Sequence, residues 1–526
     1  MTLTVAGVTR DEAFSGALSA LVDAGFASAL FARDAGLWGE AAAVEAAVRL
    51  GWTDFEDNAE RVLGEAERLS AEFRATGVDR FVLCGMGGSS LAPLVIAPGL
   101  GVLDSTHPAA VREALEGDLA RTAVIVSSKS GGTVETLSHL AAFEAAFAGA
   151  GIDPSGRIVV VTDPGSKLED AARASGQRVF LADPTVGGRF SALTAFGIVP
   201  SVLAGADMRS VVRDAAAVRG LLASDTPENP ALVLAAAIAA GLPERFLLEL
   251  VSDGSLPAEL GLWIEQLVGE STGKDGRGVL PIALPAGATA SAGALGAAAG
   301  SAKGAAKSSG TTALALTFSL DTTAASGLSV AGPLGSQLLL WQVVTAALGF
   351  LIGVDPFNQP DVEAAKAATR ESLGAPGRAA AEELSPAAVR ARLDAAAPVD
   401  GYVAIQAYVD PNDAELAADL EELRRELCAE LGTPVAVGYG PRYLHSTGQF
   451  HKGGPNRAAF LQLIGLAERD VAIPGGEQSF GELIAAQAHG DASVLRERGR
   501  EVITVETADP TEFVRALLGR GHPLPS

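Results

Sequence analysis

The chain has little of what marks a disulfide-stapled, metal-built or nucleic-acid-binding protein. Only two of its 526 residues are cysteine, Cys84 and Cys428. Two thiols make no disulfide framework, and they fit a reducing compartment, so the expected location is cytoplasmic. Histidines number six and lack the spacing of a ligand set, so no metal is expected. Positive charge is scarce: 39 Lys and Arg face 63 Asp and Glu, a formal net charge of −24. Such a field disfavours polyanions, so neither nucleic acid nor an anionic membrane is an expected partner. The opening MTLTVAGVTRDEAF carries no basic-then-apolar leader. Residues 335–354 hold no charge and are long enough to span a bilayer. They also hold Gln337, Gln342 and Thr345 and lack a basic flank, so a buried helix is expected there.

What is present is globular: 48% hydrophobic and 19% charged residues over a length that suggests two to four domains. Residues 1–75 read as helices. From Asp79 short apolar runs alternate with helical stretches: 80–84, 101–103, 122–126, 157–161 and 177–181. That alternation predicts an α/β module with a parallel sheet and ligands at the strands' carboxyl ends. An Ala/Gly/Ser-rich stretch, 283–310, reads as a linker or surface excursion between this first module (76–282) and a second (311–526). The second is expected to hold strands 311–316, 401–409, 435–438 and 501–505, with helices at 335–352, 414–431 and 457–466.

Two loops have the chemistry of an anion site. Residues 125–135 read IVSSKSGGTVE: an apolar strand, then Ser128, Lys129, Ser130, two glycines and Thr133, then a helix. Free backbone N–H groups, the helix dipole and hydroxyl donors converge there, which suits phosphate. The strand at 80–84 leads into Gly85-Met86-Gly87-Gly88-Ser89-Ser90. This lacks the third glycine of a dinucleotide fingerprint, and two such loops on neighbouring strands suit a phosphosugar better than a dinucleotide. A dinucleotide-dependent oxidoreductase is therefore a minor alternative.

Three further stretches carry candidate groups. Arg189 stands between Gly188 and Phe190, either as a surface charge or aimed inward. Glu270 falls in the last turn of a helix ending in Ser-Thr-Gly-Lys (271–274). There the dipole disfavours a carboxylate and nearby cations hold it ionised, as a general base requires. The Pro-bounded turn 355–361 presents Gln359 and runs into a helix carrying Lys366. A glycine-rich loop, 443–454, holds His445 and His451, suited to acid/base work or to loop hydrogen bonding.

Together GMGGSSLAP (85–93), 128–133, 188–191, 270–274 and 357–366 resemble the glucose-6-phosphate isomerase family, closest to the isomerase portion of bacterial transaldolase/glucose-6-phosphate isomerase fusions. The resemblance implies α/β architecture with two SIS-type (flavodoxin-like) parallel-sheet sandwich domains behind a helical N-terminal segment. It implies aldose–ketose isomerisation of glucose 6-phosphate and fructose 6-phosphate through an enediolate, without a cofactor. Glu270 matches the family's base and Arg189 the cation beside the enediolate. Gln359 and Lys366 match the pair that contacts the sugar and assists ring opening. Gly88, Ser89, Ser128, Lys129, Ser130 and Thr133 match sugar and phosphate contacts. The family takes a ring-opening histidine from a neighbouring subunit, which implies a homodimer; here His445 and His451 flank the matching Thr-Gly-Gln. A phosphosugar-sensing module without catalysis is the other alternative; it would keep the 128–133 loop but have no use for Glu270 and Arg189.

Overall fold

The computed structural model describes residues 3–288, 290, 313–321, 327–360 and 384–520. Lys366 lies outside the described residues, as does most of the 283–310 stretch.

Three sheets form, each doubly wound. The first holds β2 (Arg80–Gly85), β3 (Gly101–Leu103), β4 (Thr122–Ser127), β5 (Ile158–Thr162) and β6 (Arg178–Leu181) in the order β3-β2-β4-β5-β6, all parallel. Val-rich strands such as β4 and β5 are buried throughout because helices cover both faces. In the second sheet, β7 (Leu247–Ser252), β8 (Leu280–Ala283), β9 (Ala313–Ser319) and β10 (Leu328–Ala331) are parallel. The short β1 (Thr4–Ala6) closes its edge antiparallel to β10. The third sheet orders β11 (Tyr402–Tyr408), β12 (Val435–Tyr439), β13 (Ala458–Gly465) and β14 (Glu501–Thr507) as β12-β11-β13-β14. Within each sheet the first parallel strand lies between the second and the third, the flavodoxin-like order.

The α/β parallel-sheet class expected from sequence is what forms, with three sheets in place of two. The 283–310 stretch does not separate sheets. β8 before it and β9 after it both pair with β7, so the modules divided there share one sheet. The helix expected at 457–466 is instead strand β13. AAFLQLIG is apolar on both faces because this strand sits centrally between β11 and β14, and a two-faced apolar run has no strand periodicity to betray it. The N-terminal segment is helical as expected apart from β1. The uncharged run forms helix Leu334–Ile352, the one described helix long and apolar enough to cross a membrane, and 83% of its most apolar window is buried inside the protein. Gln337 and Gln342 there donate through Nε2 to the carbonyls of Ser319 and Phe190, so neighbouring chain takes up their amide N–H groups.

The third sheet packs against both others. Phe246, Leu280 and Ile282 of the second sheet share a core with Tyr402, Ala404 and Phe460. Phe480, heading helix Phe480–Glu497, joins the core of the first sheet.

Candidate active site

The site is built from the carboxyl ends of β2 and β4. After β2 the chain turns through Gly87, at φ 54°, and a Cβ on it would stand 2.5 Å from the His445 carbonyl oxygen and 2.7 Å from Gln266 Nε2. A Cβ on Gly88 would stand 2.1 Å from the Gly188 carbonyl oxygen. These glycines permit close approach of three loops, which is why side chains are missing there. Ser89 is buried beside them. After β4, Ser128 Oγ and Thr133 Oγ1 lie 2.9 Å apart, and Thr162 Oγ1 donates to the Ser128 carbonyl at 2.7 Å. Ser130 Oγ accepts from Gly132 N at 3.3 Å, on the exposed lip of the loop. The Lys129 ammonium pairs with Asp163, which holds it at the side of the loop.

Arg189 points inward. It sits in the 3₁₀ turn Gly188–Phe190, whose Phe190 stacks on Trp52. Its guanidinium is 4% exposed and donates to Ser271 Oγ (2.7 Å), Gln359 Oε1 (2.9 Å) and the Pro356 carbonyl (2.7 Å). Its NH1 also lies 3.3 Å from Glu270 Oε1. Glu270, on helix Leu260–Thr272, is buried and accepts from Gln266 Nε2 at 3.2 Å. Lys274, just past that helix, donates to the Asp355 carbonyl; burial, then the Arg189 charge, push its ammonium well below the usual lysine range. Arg189, Glu270, Lys274 and Gln359, from three separate parts of the chain, thus meet in one cluster.

The two histidines separate. His445 is partly exposed, and its Nε2 meets Glu135 Oε1 at 2.9 Å. Glu135 lies two residues beyond Thr133, in the first turn of helix Val134–Gly149. Burial pushes the Glu135 carboxyl up, but the charge of His445 and its hydrogen bond outweigh this and bring it below the usual range. Gln487 Nε2 adds a hydrogen bond to the same oxygen at 2.7 Å, and is itself held by Thr106 Oγ1. His451 is sealed in: its Nδ1 meets the Tyr402 hydroxyl at 2.8 Å, and burial, helped by Lys452 and Arg500, pulls it down to about 3. A chain of contacts links the two halves of the site, because Gln266 Nε2 also donates to the His445 carbonyl at 2.8 Å. It runs Glu270–Gln266–His445–Glu135 and ends beside the 128–133 loop.

Glu135, Gln266 and Gln487 were not among the residues expected from sequence. Glu135 had a weak signal, as the last residue of the IVSSKSGGTVE stretch, but an acid in a first helical turn is ordinary. Among the described residues no group of three or more His, Cys, Asp or Glu is placed to hold a metal ion.

No family model matches the chain. A curated glucose-6-phosphate isomerase of Synechococcus sp. is 35% identical over 240 residues, 42% of this chain and 45% of that protein. The chain spans about half the length of the first such relatives. The glucose-6-phosphate isomerase of Rubrobacter xylanophilus is 29% identical over 383 residues, covering 61% of this chain and 88% of that one. Among solved structures, a hypothetical protein of Thermus thermophilus superposes with a TM-score of 0.58 at 24% identity, over 71% of this chain and all of that one, so the fold is shared. Beside the doubly wound sheets and paired loops, these relatives show that the chain is similar in sequence to glucose-6-phosphate isomerases.

Proposed function

We propose that this chain interconverts glucose 6-phosphate and fructose 6-phosphate through a cis-enediolate, with Glu270 as the base. The observation that carries this reading is the buried Arg189–Glu270 pair, 3.3 Å apart, joined through Gln266 and His445 to Glu135 beside the 128–133 loop. The phosphate anchors on Ser128, Ser130, Thr133 and the backbone near Gly88 and Ser89, and its binding energy positions the reacting carbons. Glu270 removes the C2 proton of the open-chain aldose, electron density passing to the C1 oxygen; the O2 hydroxyl proton then passes to O1 as the C2 carbonyl forms, and Glu270 returns its proton to C1. Arg189 stabilises the charge that develops on the enediolate oxygens. Gln359, already bonded to Arg189, is placed to hold a sugar hydroxyl.

His445 serves ring opening, moving a proton between the ring oxygen and O1, with Glu135 orienting its imidazole. His451 is set aside from this role, because an imidazole neutral down to about pH 3 and bonded to Tyr402 relays no proton near neutrality. His445 comes from the same chain as the loops it faces, so the site needs no second copy; the homodimer expected from the resemblance is not part of the mechanism. Lys366 keeps the ring-opening role that the resemblance implies. Lys129 contributes charge near the phosphate from its place beside Asp163. The reading includes a cytoplasmic location and needs no cofactor.

The test supplies fructose 6-phosphate and follows glucose 6-phosphate with a coupled dehydrogenase. Wild-type chain should turn over without added cofactor, and Glu270→Gln should lose at least about 10³-fold in kcat while still binding sugar phosphate. Near-normal turnover in that variant would remove Glu270 from the chemistry.

A further inference from the structure

Between the second and third sheets, on the face of helix Leu260–Thr272 away from Glu270, lies a cavity of about 380 Å³. Its walls are mostly hydrocarbon, with Leu262, Leu284, Leu420 and Val437 prominent, and its size is that of a small-molecule site. It adjoins a chamber of about 10 Å³, and the two share Glu265, Val437, Gly438 and Tyr443. The small chamber has room for about one water-sized group.

The polar groups in these chambers are unequally served. Arg424 is tied bidentately to Glu421, and Arg442 likewise to Asp104. The Tyr443 hydroxyl is bonded to Asp491 and Tyr408, and burial keeps His451 neutral. No cation neutralises Glu265 among the described ion pairs, and its carboxylate has only a long contact, 3.4 Å, from Ala283 N. Gln406, on β11, is 1% exposed and lines the small chamber, yet neither its Nε2 nor its Oε1 has a partner. An amide left bare in a protein interior is destabilising, so its persistence calls for an occupant. The arginines being spent, the chambers offer acceptors without a matching positive charge, in a chain whose field already draws cations.

We propose that these chambers bind a primary ammonium compound with a short apolar body. The ammonium head lies between the Glu265 carboxylate and the Gln406 amide oxygen, where its three donors meet one acceptor without a partner and a carboxylate with a single long contact. The hydrocarbon lies against Leu262, Leu284 and Leu420. A metal ion is a poorer fit, since no three candidate ligands converge there among the described residues. An anion would face Glu259 and Glu265 with both arginines already engaged.

Burial pushes Glu265 up to about 8, so near neutrality the empty site holds a proton that an arriving ammonium must displace. Glu259, Glu421, Arg424 and Arg442 line the same cavity, and of these Arg424 is paired with Glu421 and Arg442 with Asp104.

Calorimetry with the full chain at pH 7 and constant ionic strength tests this, using n-butylammonium, n-butanol and butyrate as probes. Butylammonium should bind saturably, butanol at least about 10-fold more weakly, and butyrate not at all. Its heat should depend on the buffer's ionisation enthalpy, reporting proton release from the wild-type chain. Glu265→Gln should weaken butylammonium at least about 10-fold and abolish that dependence, and Gln406→Leu should weaken it several-fold. Equal binding of butylammonium and butanol, absence of proton release, or unchanged affinity in Glu265→Gln would overturn the proposal. Absence of saturable binding would do so too, leaving the small chamber to water.

Discussion

The first and third sheets share a strand order, so each has a crevice between the carboxyl ends of its first and third strands, yet only one has site chemistry. At the ends of β2 and β4 stand glycines, Ser89, Ser128 and Thr133, with Arg189 and Glu270 brought against them. At the ends of β11 and β13 the polar groups are consumed by structure. Asp413 caps helix Ala414–Leu431 through Glu415 N and Leu416 N. Asp410 accepts from Asn412 N, whose side chain donates to Glu113. The Arg469 carbonyl takes Arg112, and Asp470 takes the N–H groups of Val471 and Gly481. Topology says where a ligand can lie; spare donors and charges say whether one does. The third sheet's contribution is made elsewhere, after β12, where its loop carries His445 to Glu135.

The sharpest way to break that comparison is to exchange one group at each crevice. His445→Asn should lower kcat/KM for glucose 6-phosphate about 10²–10³-fold, within the range of a general acid–base group. Asn412→Ala, at the third sheet's crevice, should leave it within about 2-fold. Equal effects would mean that His445 only braces the interface.

A smaller effect separates the crevices by their glycines. Alanine at Gly88 would put its Cβ 2.1 Å from the Gly188 carbonyl oxygen, forcing the Arg189 turn aside. Since a displacement of about 1 Å can cost about 10²-fold in rate, Gly88→Ala should lose about 10–100-fold in kcat/KM. At Gly465, which ends β13, the nearest atoms are side-chain carbons of Pro510 and Val409 at 3.3 Å. Gly465→Ala should therefore leave kinetics unchanged and shift only the melting temperature.

The same contrast explains what could be read from sequence. The loops at 85–90 and 128–133 are local signals, a glycine and hydroxyl grammar at a strand end, and both sit in the crevice. Glu270 stood out by its helix-end position, whereas the stretch around Arg189 suited a surface charge as well as an inward one, and only the fold shows it buried beside Glu270. Glu135 was not, because its burial depends on His445 and Gln487, more than 300 residues onward. Sheet three was merged with sheet two for a related reason: strand order across 283–310 is written in pairings between β7, β8 and β9, not in any short pattern. The two histidines, six residues apart, could not be told apart by their shared loop; the Tyr402 hydroxyl and the Glu135 carboxylate distinguish them.

That pair of histidines yields the mildest test, one of stability. Folded, His451 stays neutral down to about 3 and His139, also buried, down to about 4; unfolded, each takes a proton near pH 6.5. Between those values the unfolded chain binds more protons, so stability is whole above about pH 6.5 and falls as pH falls. At pH 5 each histidine accounts for a loss of about 2 kcal/mol. His451→Phe gives up the Tyr402 hydrogen bond at every pH, which lowers the whole curve without tilting it, but it removes one of the two titrations. Urea midpoints measured at pH 7 and pH 5 should therefore lie closer together in the variant than in wild type, by about 2 kcal/mol in free energy. An unchanged gap would mean that His451 is reachable by protons in the folded chain, and would reopen its candidacy beside His445.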